Sequence, residues 1–268
     1  MDPAWSVTKV GNGTTPIVIH VPHAGTWIPD SVRGDLLLDG PGLRDELARM
    51  TDWYTDRLAV EALTTAGIAS TVFANRASRL VIDPERFVGD GEPMEAIEMG
   101  PVYQVTSDLR PLRTPDPARD RQLLDLWFHP YAAAFTDQVD SVLARLQRVT
   151  IVDLHSYPRL PLPYETDPYA SRPAVCLGTD PFHTPNALHA VATETLSGTG
   201  RRIENNTPFA GTYVPLKHLD RTAEVSSIMV EIRRDQYQVE PGGPPNEDWR
   251  DVVHTLAAFL EQAADITD

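Results

Sequence analysis

Thr150-Ile151-Val152-Asp153-Leu154-His155-Ser156-Tyr157-Pro158 is the stretch on which the reading of this chain turns. β-Branched and aliphatic residues lead into His-Ser-Tyr, and a proline then stops the run. That order predicts a buried strand presenting an imidazole at its C-terminal end, the end where open α/β sheets gather their ligands. His155 is accordingly a candidate metal ligand. Ile17-Val18-Ile19-His20-Val21-Pro22-His23-Ala24-Gly25 repeats the pattern far upstream and offers His23 as a second. In a parallel sheet the strand C-termini share one edge, so the two rings can meet there.

The rest of the chain fits such a sheet. Apolar residues recur at spacings of three and four over residues 43–66, which predicts one helix ended by Gly67. Residues 68–74, 174–179 and 225–233 read as strands; 185–196 and 249–264 read as helices. Residues 119–148 form the clearest helix, with Pro130 placed to kink or divide it. Strands alternating with helices predict an α/β fold: one three-layer α/β/α domain over residues 1–268, with a mixed, mostly parallel sheet covered on both faces. Residues 89–117 and 158–173 are rich in proline, which predicts long surface loops of the kind that carry function.

Composition narrows the partners. Of 268 residues, 23 are Lys or Arg and 38 Asp or Glu, a formal net charge of −15, which argues against binding nucleic acid phosphates. An anionic substrate must therefore meet a locally basic pocket. A single cysteine, Cys176, excludes an internal disulfide and a multi-cysteine zinc site. The start of the chain has no signal-peptide pattern, and no stretch approaches the roughly 18 apolar residues of a membrane span. The expectation is a cytoplasmic monomer or small homo-oligomer acting on a small molecule, without a membrane partner.

A catalytic zinc takes three protein ligands and leaves a position for water. Asp52 and Asp56 lie one helical turn apart in Thr51-Asp52-Trp53-Tyr54-Thr55-Asp56, so either could be the third ligand, with Asp52 preferred. Asp153 is expected to support the site or the fold. Glu231, inside Ile228-Met229-Val230-Glu231-Ile232-Arg233, is costly to bury unless paired or functional. Burial raises its pKa toward the range useful to a general base; the alternative is a buried ion pair with Arg233 or Arg234. Arg76, Arg79 and Arg86 suggest capture of a carboxylate, with Asn75 beside them. The alternative there is internal pairing, for instance of Arg86 with Asp83.

Taken in order, Val21-Pro22-His23-Ala24-Gly25-Thr26, Thr51-Asp52-Trp53-Tyr54, Asn75-Arg76, Asp83-Pro84-Glu85-Arg86, Asp153-Leu154-His155-Ser156, Pro208-Phe209-Ala210-Gly211-Thr212-Tyr213 and Val230-Glu231-Ile232-Arg233 resemble the N-formylglutamate amidohydrolase family. That family is similar in fold to the zinc carboxypeptidases. The resemblance implies His155 as a zinc ligand, Asn75 and Arg76 as carboxylate-binding, and Glu231 as general base. One departure matters: the carboxypeptidase pattern has a glutamate three residues after its first ligand, and Thr26 stands there. The third ligand must come from elsewhere, with Asp52 preferred and Asp56 the alternative. Arg86 and Tyr213 complete the candidate substrate contacts.

The expected activity is hydrolysis of the formyl amide of an acidic amino acid. It would depend on Zn2+ or another divalent cation held by His23, Asp52 and His155. The alternatives are a carboxypeptidase-like peptidase or deacylase acting on larger acyl groups, and a binding module without catalysis.

Overall fold

A computed structural model of the chain describes residues 4–13, 15–89, 91–165, 167–198 and 200–266; Met1, Asp2 and Pro3, part of the segment read for a leader, lie outside them. Seven strands form one sheet: β1 (Trp5–Val10), β2 (Ile17–Val21), β3 (Ser70–Asn75), β4 (Val149–Tyr157), β5 (Val175–Gly178), β6 (Ile203–Asn205) and β7 (Val225–Arg233). Their spatial order is β1-β3-β2-β4-β7-β5-β6. β3, β2, β4 and β7 run parallel to one another, and β5 runs parallel to β6; β1 is antiparallel to β3, and β5 to β7. The sheet is therefore mixed and mostly parallel, as expected.

The helices are α1 (Asp30–Arg33), α2 (Gly40–Met50), α3 (Thr55–Ala66), α4 (Pro117–Leu123), α5 (His129–Leu146), α6 (Asn186–Ser197) and α7 (Trp249–Ala264). α3, α6 and α7 bury Leu58, Ala62, Leu188, Leu256 and Phe259 against one face of the sheet. α5 buries Tyr131, Phe135, Val139 and Val142 against the other. Full burial of the leucine, valine and phenylalanine side chains among these contributes about 1.5–3 kcal/mol each.

Strand alternation makes the two faces unequal. Ile17, Ile19 and Val21 of β2, Val152 and Leu154 of β4, and Ile228, Val230 and Ile232 of β7 all enter the α3/α7 layer. The opposite rows begin apolar, with Val18, Val149, Ile151 and Val225 under α5. Toward the strand ends the same rows turn polar: His20, then Asp153 and His155, then Ser227 and Glu231, all buried. The face under α5 thus seals one half of the sheet and opens, at the C-terminal ends, into chemistry.

Two helices expected from periodicity are each divided. Residues 43–66 form α2 and α3, because Thr51 turns extended (φ −83°, ψ 136°) and Tyr54 adopts φ 66°. A tyrosine in the left-handed region costs on the order of 1 kcal/mol, and the break it helps to make carries Asp52. Apolar spacing continues in phase on both sides, so it hides the break. The segment 119–148 is divided by a π-turn over Leu124–Phe128, and Pro130 then lies in the first turn of α5, where its missing N–H is harmless. β1 and β6 lie at the sheet edges and were not expected. Among the described residues no helix is long and apolar enough to cross a membrane.

Candidate active site

A cavity of about 790 Å³ opens at the C-terminal ends of β4 and β7, lined there by His155, Ser156 and Glu231. His23 enters it from the turn that follows β2. That turn depends on Gly25, where an added Cβ would stand 2.5 Å from the carbonyl oxygens of Arg76 and Ala77. Asp52 enters from the break between α2 and α3, fixed by its backbone N–H donating to the His23 carbonyl (3.0 Å).

His23 Nδ1 and His155 Nδ1 lie 3.2 Å apart; Asp52 Oδ2 is 3.3 Å from His155 Nδ1 and 3.8 Å from His23 Nδ1. Tetrahedral zinc, with bonds of about 2.0–2.1 Å, requires donors roughly 3.3–3.4 Å apart. The outer nitrogens are spoken for: His23 Nε2 meets Asp83 Oδ1 (2.9 Å) and His155 Nε2 meets Asp153 Oδ1 (3.0 Å). With a hydrogen on each Nε2, both Nδ1 lone pairs point at one another, an arrangement that requires a cation or a proton between them. The side chains fit a divalent ion.

Electrostatics agrees with that requirement. Burial disfavours charge on His155, but the Glu85 and Asp153 carboxylates and hydrogen bonds to Asp153 and Asp52 outweigh it, raising its pKa well above the usual imidazole value. His23 is raised as well: burial and Arg79 oppose this, and Asp83 and Asp52 prevail. Burial likewise works against ionising Asp52, Asp83 and Asp153. Nevertheless hydrogen bonds and cationic neighbours hold all three carboxyls well below their ordinary range. Asp52 Oδ1 accepts from Arg234 Nη2 (3.0 Å) and its Oδ2 from the Ser156 N–H (3.1 Å). Asp83 accepts from Arg79 Nη2 (2.8 Å) and from the Tyr103 hydroxyl (2.5 Å).

Glu231 sits opposite His155 in the β4–β7 register and is 8% exposed. Neither flanking arginine pairs with it. Arg233 binds Asp235 (2.8 Å), and Arg234 is committed to Asp52 and to the carbonyls of Arg49 and Ser156. Glu231 Oε2 has no hydrogen-bond partner among the described residues. Burial, with Asp52 adding to it against His155, pushes its carboxyl up to about 7.

The expected carboxylate binders divide. Arg86 lines the cavity; its Nη2 is 3.6 Å from Asp83 Oδ2, and its buried Nε has no hydrogen-bond partner among the described residues. Arg79, Arg49 and Arg234 line the same space. Asn75 and Arg76 do not. Asn75 Oδ1 accepts from the Ala77 N–H (3.0 Å) and shapes the turn leaving β3. The Arg76 backbone binds Ala4 and Trp27 while its side chain is exposed. The unexpected β1 places the chain segment just before it against Arg76, and the run of alternation from β3 sends the side chain away from the cavity. Asp56, the alternative ligand, is also exposed on α3, because the break puts it on a different element from Asp52. Tyr213 lines the cavity, with its ring on His20 and its backbone N–H on Asp153 Oδ2 (3.1 Å).

Sequence reasoning passed over Glu85, Tyr103 and Tyr131, and it gave Asp83 and Arg234 only as pairing alternatives. Asp83 had a visible signal, a carboxylate ending the apolar run Leu80-Val81-Ile82. A further trio, Asp180, His183 and Asp220, is close enough to suggest a metal. However, His183 Nδ1 donates to the Val225 carbonyl (2.7 Å) and its Nε2 accepts from the Asp220 N–H (2.9 Å), so its ring has no lone pair to offer.

A family model described as N-formylglutamate amidohydrolase matches residues 15–238. The chain belongs to the N-formylglutamate amidohydrolase family. An N-formylglutamate deformylase of Pseudomonas putida is 27% identical over 245 residues, covering 87% of this chain and 86% of that protein. The crystal structure of an N-formylglutamate amidohydrolase from Ralstonia eutropha JMP134 superposes with a TM-score of 0.80 at 22% identity, covering 98% of this chain and 97% of that one. A gene product of Agrobacterium tumefaciens gives 0.66 at 19% identity, covering 98% and 93%. These two likenesses are of fold.

Proposed function

We propose that the chain is a metal-dependent amidohydrolase that removes the formyl group from an N-formyl dicarboxylic amino acid, N-formylglutamate being the first substrate to test. The observation that carries this reading is the convergence of His23 Nδ1, His155 Nδ1 and Asp52 Oδ2 near a buried carboxylate, Glu231, whose Oε2 has no hydrogen-bond partner among the described residues. A divalent cation such as zinc held by that trio would lower the pKa of water toward about 7 and polarise the amide carbonyl. Glu231 accepts the proton of the attacking water and returns it to the departing amine nitrogen. Its elevated pKa suits both transfers.

Arg86 holds a substrate carboxylate, with Arg79 close enough to share it. Arg79 already donates to Asp83, whereas Arg86, 3.6 Å from the same carboxylate, has an Nε without a hydrogen-bond partner among the described residues. Replacing Arg86 by Leu is expected to reduce kcat/KM for a formylated dicarboxylic amino acid by about 10–100-fold, mainly through KM, the loss of a charged hydrogen-bonding partner. Unchanged kinetics in that variant would remove Arg86 from substrate recognition.

A second reading concerns acyl size. The cavity also presents Met50, Met94, Phe128, Phe209 and Leu219, and its volume lies in the range of roughly 300–1,000 Å³ that holds drug-sized ligands. A deacylase for larger acyl groups could use that space. Rates of release of formate, acetate and succinate from the same amino acid, with and without chelator, decide between the two. Faster loss of succinate than of formate would overturn the formyl assignment.

A further inference from the structure

Behind His155 the hydrogen bonds do not end at Asp153. The Tyr131 hydroxyl is 2.8 Å from His20 Nε2, His20 Nδ1 is 2.9 Å from Asp153 Oδ1, and that same oxygen is 3.0 Å from His155 Nε2. Tyr131, His20 and Asp153 are all buried. The His20 ring is held between Phe135 (centroids 4.3 Å apart) and Tyr213 (4.7 Å), both within about 33° of parallel, so its plane is fixed by packing. Tyr213 secures the other Asp153 oxygen through its backbone N–H.

We infer that Tyr131 and His20 are positioning residues for the metal site: they hold Asp153 so that His155 keeps its hydrogen on Nε2 and offers Nδ1 to the ion. With the phenol donating to Nε2, His20 must carry its hydrogen on Nδ1 and donate it to Asp153. Every hydrogen in the chain then points toward one carboxylate oxygen. The alternative acceptor is near at hand, since Glu85 Oε2 lies 3.1 Å from His155 Nε2 and Glu85 Oε1 lies 3.5 Å from His20 Nδ1. Without the His20 donor Asp153 loses one of its three anchors, and the His155 ring is free to turn toward Glu85. Groups that orient a metal-binding histidine typically alter metal affinity 10–100-fold when replaced.

This inference rests on the metal reading above, and the test separates the two. Zinc affinity is measured on metal-stripped protein by competition with a chromophoric chelator, alongside thermal unfolding of the stripped protein. His20→Leu is expected to weaken zinc about 10-fold or more, and Tyr131→Phe, which removes only the hydroxyl, by a few-fold. His20→Asn, whose amide nitrogen can reproduce the Nδ1 donor, should stay nearer the unsubstituted protein than His20→Leu does. Loss of thermal stability alone would not produce that ranking. If the unsubstituted protein takes up no zinc, the metal reading and this inference both fail. If it binds zinc and both His20→Leu and Tyr131→Phe match it, the relay alone is refuted.

Discussion

Glu231→Gln is expected to lower kcat by about two orders of magnitude or more while the protein retains its metal, the usual reach of general acid–base catalysis. Gln keeps the size of the side chain and cannot take a proton, so the comparison isolates the transfer. The expectation follows from placement: the β4–β7 register sets Glu231 beside His155, and neither Arg233 nor Arg234 neutralises it. Metal content per chain, measured together with kcat, is the check. Near-normal turnover at full metal content would eliminate Glu231 as the base.

The pH dependence has a determined sign. A base works deprotonated, so activity falls as pH drops through the Glu231 pKa. Burial raises that carboxyl from 4.5 to about 7 without a metal, and a neighbouring cation draws it back down. The acid limb of kcat/KM therefore falls between those values. Stability of the metal-free protein moves the other way. A carboxyl whose folded pKa is raised contributes fully below its unfolded value and loses that contribution as pH rises through about 7. Glu231→Gln imitates the neutral form, so at pH 8 the stripped variant should unfold at a higher temperature than the stripped parent. The same substitution then slows the reaction and stabilises the fold, as expected of a group placed for chemistry.

Most of the sheet could be read from the sequence because its strands announce themselves. β4 and β7 are long apolar runs bounded by turns, and the row of Asp153 and His155 follows from period two alone. The edges could not be read this way: β1 mixes Trp5, Val7 and Val10 with polar residues and buries none of them fully, and β6 has only three residues, so neither carries a strong pattern. Periodicity placed residues 43–66 on one helix because Leu47, Met50, Leu58 and Ala62 keep helical spacing across the break. What reveals the break is tertiary, the Asp52 N–H reaching the His23 carbonyl. His23, His155 and Glu231 were legible as polar residues in apolar surroundings. Arg76 misled because a neighbour in sequence to a strand end need not face the same side. His20 and Tyr131 have meaning only as partners, 111 residues apart.

Removing the metal is expected to have the largest effect of all, and the reason lies in charge. Asp52, Asp83, Glu85, Asp153 and Glu231 gather around the site opposite Arg79, Arg86 and Arg234. Carboxyl groups outnumber guanidinium groups around this cavity, an excess of acid that a divalent cation would offset. In the stripped protein, protons on His23 and His155 take its place, which is why both pKa values are raised. Their contribution to stability is present below the ordinary imidazole value of 6.5 and is lost as pH rises through the raised values. Zinc must displace those protons, so its affinity grows with pH, and so does the rise in Tm when zinc is added, here compared at pH 6 and 8. Calorimetric titration in buffers of different ionisation enthalpy should register proton release on binding. His155→Ala should take up no zinc at micromolar concentrations and show no pH-dependent rise in Tm. A full complement of zinc in that variant, or zinc affinity independent of pH in the unsubstituted protein, would mean that these imidazoles do not hold the ion.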